Sequence, residues 1–236
     1  MHHLALGAAT APDLLNSALD TLRVVLEYVG TVAFAISGAV AASRRRMDLV
    51  GAVVLACLVA VGGGTARDLL LDRPVFWMEN PTLVLVAVAT ALVIASLYRR
   101  RSMDALARHR IVEGSDAAGM AIFVVIGTSI SLELGVNPVA AVIVGVVNGV
   151  GGGVLRDLFA AQVPEVFWNG QLYATAALAG AALYAALHAA HAAVQVTFWL
   201  PLLVIVALRV LSLTLGWGVP TVAVVKKRER QTEDHA

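Results

Sequence analysis

This chain has little charge, a single cysteine and none of the short motifs of common enzyme classes. Only 14% of its 236 residues are Asp, Glu, Lys or Arg, whereas soluble domains carry about a quarter. The lone Cys57 excludes an intrachain disulfide and a cysteine metal cluster. No HExxH helix motif, Walker loop or Gly-x-Ser-x-Gly elbow is present, so nothing supports catalysis. We therefore predict a protein that is not an enzyme, with no metal, cofactor or nucleic-acid partner.

Apolar sequence is what the chain has in excess. Hydrophobic residues make up 59% of it, and its mean hydropathy is +0.83. A membrane-spanning helix needs about 20 apolar residues, and barrel strands would be shorter and alternating. The hydropathy predicts an all-α integral membrane protein whose seven spans are residues 24–43, 48–71, 81–98, 115–134, 138–158, 171–193 and 197–216.

Three basic runs predict how these spans are oriented. Arg44 to Arg46, Arg99 to Arg101 and Lys226 to Arg230 follow spans one, three and seven, and the alternate connections contain one basic residue, Arg73. The positive-inside rule makes the basic connections cytoplasmic. We thus predict a multi-pass protein of the inner (plasma) membrane with its N-terminus outside and its C-terminus inside. The runs anchor this topology; the alternative is that Arg99, Arg100 and Arg101 also bind anionic membrane lipids.

One glycine motif occurs twice. Gly62-Gly63-Gly64-Thr65-Ala66-Arg67-Asp68 returns 89 positions later as Gly151-Gly152-Gly153-Val154-Leu155-Arg156-Asp157. The same displacement places Glu27 on Asp116, Gly30 on Gly119, Phe34 on Phe123 and Gly38 on Gly127. Agreement at so many special positions indicates an internal duplication.

Each repeat holds three spans, so tandem copies enter the membrane in opposite orientations. We predict two inverted three-helix repeats plus a seventh helix. The boundaries are an external segment at 1–23, repeats at 24–110 and 111–196, a seventh helix at 197–225 and a cytoplasmic basic tail at 226–236.

Three successive glycines cost a helix roughly 1 kcal/mol each relative to alanine. We therefore predict that the second and fifth spans, helices 2 and 5 of the predicted seven, are broken at Gly-Gly-Gly. Broken helices and ionisable residues inside a bilayer line cavities by default. The predicted ion-pathway residues are Gly62, Gly63, Gly64, Thr65, Arg67, Asp68, Gly151, Gly152, Gly153, Arg156, Asp157, Glu27 and Asp116. The alternative is that the glycines serve only close packing and the Arg-Asp pairs only close ion pairs.

Two further polar residues lie within the predicted spans. Arg209 is interpreted as an anchor reaching the inner face, with a third pathway charge as the alternative. Asn148 precedes the second glycine triplet by one turn, so it could hydrogen-bond across helices.

The paired Gly-Gly-Gly-x-x-Arg-Asp motifs, in tandem three-span repeats with a seventh helix, resemble the prokaryotic members of the trimeric intracellular cation (TRIC) channel family. The resemblance implies a homotrimer with one pathway per protomer for monovalent cations, chiefly K⁺, bordered by the two glycine triplets. Relatives with this doubled domain are also labelled glycine transporters. We therefore carry three hypotheses: a potassium channel, a secondary transporter of glycine or a similar zwitterion, and a scaffold in which the motifs only pack.

Overall fold

The computed structural model describes residues 11–100, 105–167 and 172–218, and side chains within 21–98, 109–167 and 172–218. The helices are α1 (Ala11–Arg44), α2 (Leu49–Leu70), α3 (Phe76–Glu79), α4 (Thr82–Arg100), α5 (Ala105–Glu133), α6 (Pro138–Phe159), α7 (Ala174–Ala189) and α8 (Val194–Leu215), with a 3-10 turn at Glu165–Phe167.

The long helices match the predicted spans, and the protein is an all-helical membrane protein. Within the described residues, five helical segments, in α1, α2, α5, α6 and α8, are long and apolar enough to cross a bilayer. The apolar segments of α4 and α7, Thr82–Tyr98 and Ala174–Ala189, are shorter. Helix ends follow local signals: Asp48 and Asn137 cap α2 and α6 by accepting backbone hydrogen bonds, and α8 ends at Gly216 with φ of 66°.

Some predicted boundaries are wrong. Helix α1 begins at Ala11, before the predicted span, and its apolar segment long enough to cross a membrane begins at Thr21. Its Pro12 is tolerated because a first-turn N–H has no partner within the helix. Helix α5 begins ten residues before the predicted span. Arg101 and the tail at 226–236 lie outside the described residues, as do the side chains of Arg99 and Arg100.

The predicted helix breaks are also wrong. Helix α2 continues through Gly62 to Gly64, and α6 continues through Gly151 to Gly153. The two triplets lie where α2 crosses α6. A Cβ added at Gly63 would lie 2.0 Å from the carbonyl oxygen of Asn148, and one at Gly152 would lie 2.5 Å from that of Val59. Only glycine permits this approach, and the backbone contact it allows offsets the cost of glycine in a helix.

The crossing is symmetric, because Val59 and Asn148 are themselves 89 positions apart. Equivalent residues of the two repeats also make reciprocal contacts between α1 and α5. Gly30 faces the ring of Phe123, Gly119 faces the ring of Phe34, and the two rings stack with centroids 5.3 Å apart. These contacts therefore come in pairs related by exchange of the two repeats, and Phe34 and Phe123 belong to the hydrophobic core.

Candidate ion pathway

The first Arg-Asp motif lies buried at the C-terminal end of α2. The Nε of Arg67 donates to Oδ1 of Asp68 at 2.8 Å. The second carboxylate oxygen accepts from the backbone N–H of Phe76, which begins α3, at 2.9 Å. The guanidinium lies 5.4 Å from the centroid of the Phe76 ring. Asp68 thus neutralises an arginine and holds the chain that follows the helix.

The second motif repeats this geometry. Arg156 Nε donates to Asp157 Oδ1 at 2.8 Å, and Oδ2 accepts from the N–H of Glu165 at 2.8 Å. Glu165 lies 89 positions after Phe76, so the ungapped repeat extends this far. Each aspartate therefore pairs with its neighbouring arginine and also holds the turn that follows its helix.

The second motif differs in the charges around its arginine. Arg156 Nη1 donates to Asp116 Oδ1 at 2.6 Å and to the hydroxyl of Ser37 at 3.0 Å. Its Nη2 lies 3.7 Å from Glu165 Oε1. Asp116 is fully buried, so the cost of burying its charge is offset by this pairing. Without Asp116, Arg156 would keep its ion pair with Asp157.

Arg209 joins this cluster, so the interpretation of it as an anchor at the membrane face is wrong. Its side chain is fully buried, and Nη2 lies 4.0 Å from Asp116 Oδ2 and 3.7 Å from Glu165 Oε2. Its guanidinium also stands 4.5 Å above the ring of Tyr173. The alternative, that Arg209 is a third pathway charge, stays a prediction.

Among the carboxylates of the cluster, Glu165 lies in the connection between α6 and α7, whereas Asp116 and Asp157 lie in helices. Burial raises the pKa of its carboxyl from 4.5 to about 7, and the nearby Arg156 only partly opposes that rise. The carboxyl therefore exchanges its proton near neutral pH.

The third glycine of each triplet gives space to a neighbouring ring. A Cβ at Gly64 would lie 2.5 Å from Cε1 of Phe76, and one at Gly153 would lie 2.1 Å from the hydroxyl of Tyr173. Gly62 and Gly151 lie at the same crossing: a Cβ would meet Leu155 at Gly62 and the Cα of Gly63 at Gly151.

Thr65 takes part in packing at the same level. Its hydroxyl donates to the carbonyl of Val61 at 2.8 Å and accepts from the indole N–H of Trp77 at 2.9 Å. Asn148 bonds across helices as predicted, because its Nδ2 donates to the carbonyl of Phe123 at 2.5 Å.

Glu27 does not join an arginine as its counterpart Asp116 does. It lines an open cavity of about 420 Å³ with Arg23, Arg73 and Glu133, and Arg23 pairs with Glu133 and donates to Ser129. Glu27 lies within electrostatic reach of Arg67 and Asp68. The structure thus places Glu27 in an open cavity and its counterpart Asp116 in a closed cluster.

Sequence reasoning missed Glu165, Tyr173 and Ser37, and it misplaced Arg209. For Arg209 a signal was available, since an arginine inside an apolar span faces a bundle interior by default. For Glu165, extending the repeat offset without a gap would have placed it opposite Phe76. No local pattern marks Ser37 or Tyr173, because their roles depend on the helices they meet.

The sequence model of a family described as glycine transporter matches residues 24–99 and again 114–189. The inner membrane protein YadS of Escherichia coli, of the UPF0126 group, is 40% identical over 179 residues, covering 75% of this chain and 81% of the relative.

Two solved structures are similar over nearly their whole length. The TRIC trimeric intracellular cation channel orthologue from Rhodobacter sphaeroides has a TM-score of 0.77 and 36% identity, covering 83% of this chain and 99% of that one. A prokaryotic TRIC channel crystallised in 0.5 M KCl has a TM-score of 0.78 and 26% identity, covering 84% and 99%. Together with the doubled motif, these matches show that the chain belongs to the TRIC family and its UPF0126 relatives.

Proposed function

We propose that the chain is a homotrimeric channel for monovalent cations, chiefly K⁺, with one pathway through each protomer. The observation that carries the proposal is the pair of buried Arg-Asp motifs on the crossing helices α2 and α6. Charges at this depth in apolar helices mark ion pathways by default. The similarity to solved cation channels over most of the chain supports the same function.

We propose an inverted arrangement of the two repeats, 24–110 and 111–196, about an axis in the membrane plane, with the seventh helix outside them. Exchange-related contacts such as Gly63 on Asn148 and Gly152 on Val59 support this. With the basic connections cytoplasmic, Glu27 then lies toward the outside and Asp116 toward the inside. Arg99, Arg100 and Arg101 remain proposed contacts for anionic lipids.

Neutralisation of the arginines makes a cation pathway reasonable. Arg67 is paired with Asp68, and Arg156 with Asp116 and Asp157. A cation entering near Glu27 therefore meets paired rather than bare positive charge. At the crossing the glycine backbones are in contact, so conduction requires α2 and α6 to move apart.

The transporter hypothesis is less well supported, because the similar solved structures are channels. Purified protein in planar bilayers with a KCl gradient separates the two. Discrete unitary currents whose reversal potential follows the potassium gradient support the channel. Saturable glycine uptake into vesicles without unitary current would refute it. Chemical cross-linking in detergent tests the trimer.

A further inference from the structure

The two Arg-Asp motifs make the same internal contacts, but different side chains from the turn after each helix lie beside them. After the first motif the turn presents Phe76, whose ring lies beside Arg67. After the second, the equivalent position presents Glu165, and α8 adds Arg209. Within the described residues, the ion pair of the first motif is Arg67–Asp68 alone. The second motif is therefore covered by a titratable group.

Glu165 is held only loosely over the two arginines. Each of its carboxylate oxygens lies 3.7 Å from a guanidinium nitrogen, beyond the usual range of a hydrogen bond. Among the residues that the structure describes, the buried Oε2 atom of Glu165 and the buried Nη2 atom of Arg156 have no hydrogen-bond partner. The firm attachment of the turn is the bond from the Glu165 N–H to Asp157.

Water still reaches this side chain, which retains 23% of its exposure. The charged groups that influence its protonation, besides burial, are Arg156 and Asp157 of α6, Asp116 of α5 and Arg209 of α8. The Tyr173 hydroxyl, before α7, also lies within electrostatic reach of Glu165. From α1 the contact to this cluster is the neutral Ser37, which binds Arg156. Burial is the largest influence, and it favours the neutral carboxyl.

We propose that the turn carrying Glu165 is a protonatable latch over Arg156 and Arg209, seated while the carboxyl is neutral and released into water when it ionises, so that ionisation favours the conducting state. The inference rests on the proposed channel function. Its sign follows from linkage: the seated carboxyl is less hydrated and holds its proton more tightly, so acid stabilises the closed state.

Single-channel recording with the pH changed on one side at a time tests the latch. With a pKa of about 7 when seated and the ordinary 4.5 when released, the open-to-closed ratio should fall about tenfold between about pH 8 and about pH 6. The fall should occur from the side that the turn faces. Glu165→Gln should remove the pH dependence and keep the ratio at its low acidic value.

Two variants serve as controls. Glu79→Gln, an exposed change in the corresponding connection of the first repeat, should keep the wild-type pH profile. Arg209→Lys should keep the pH dependence while shifting its midpoint, because a positive charge remains. A Glu165→Gln channel that still shows the tenfold change, or a wild-type channel insensitive to pH on both sides, would overturn the latch.

A second measurement does not depend on current. The thermal midpoint of the detergent-solubilised protein should fall as the pH rises from about 5 to about 7.5, and Glu165→Gln should flatten that slope. A wild-type chain that gives no current at any pH would refute the channel. The latch would then be refuted if the thermal midpoint did not depend on pH in this range, or if Glu165→Gln kept the wild-type dependence.

Discussion

Replacing Gly63 with alanine tests whether the glycine triplets serve close packing. The new Cβ would lie 2.0 Å from the carbonyl oxygen of Asn148, whereas carbon and oxygen approach to about 3.3 Å. The obstacle is backbone, so α2 and α6 must separate by roughly 1 Å. Overpacking of this kind costs about 1–3 kcal/mol, and the gain of about 1 kcal/mol in helix propensity offsets part of it. We expect a net loss of about 0–2 kcal/mol.

The assay is thermal unfolding in detergent, followed by loss of the monodisperse peak on size exclusion. The matched control is Gly114→Ala in α5, where a Cβ meets nothing within 4 Å, so only the propensity gain remains and the midpoint should rise. Gly63→Ala should melt below Gly114→Ala by several degrees.

The repeat adds a sharper criterion. Gly152→Ala meets the Val59 carbonyl at the same crossing, so once the helices have separated the second substitution costs less. The double variant Gly63→Ala/Gly152→Ala should lose less stability than the two single losses added together. If Gly63→Ala is as stable as Gly114→Ala, the tight crossing does not exist in the folded protein and the packing explanation fails.

Three further predictions concern the charges. Glu27→Gln should lower single-channel conductance about twofold at low salt, because the negative charge of Glu27 attracts cations to the proposed pathway entrance. At high salt the loss should be small, because dissolved ions screen that charge; a salt-independent loss would contradict this. Asp116→Asn should destabilise the protein by about 1–3 kcal/mol, because Arg156 keeps Asp157 but loses its shorter carboxylate contact, while Glu27→Gln at the equivalent position costs little; equal midpoints would refute the asymmetry. Asp68→Asn should cost about 1–3 kcal/mol, since one amide oxygen cannot serve both Arg67 and the Phe76 N–H, and should raise hydrogen exchange of that N–H; unchanged protection would contradict the tether.

The predicted spans were close to the observed helices because hydropathy and length are local properties. The duplication could likewise be predicted from the sequence, since matching glycines, aromatics and Arg-Asp pairs recur at a constant spacing. The Asn148 hydrogen bond followed from a polar residue in an apolar helix. These features need no knowledge of which helix faces which.

What the tertiary structure decided is how the shared motifs are used. Three glycines weaken an isolated helix. In the fold, the same glycines let α2 pack closely on α6, where Gly63 meets the carbonyl of Asn148, 85 positions away. Arg209 looks like a membrane anchor in sequence, and only the approach of Asp116 and Glu165 makes it part of a buried cluster. Propensity and charge are properties of a residue, whereas packing distance and desolvation belong to pairs that only the fold brings together.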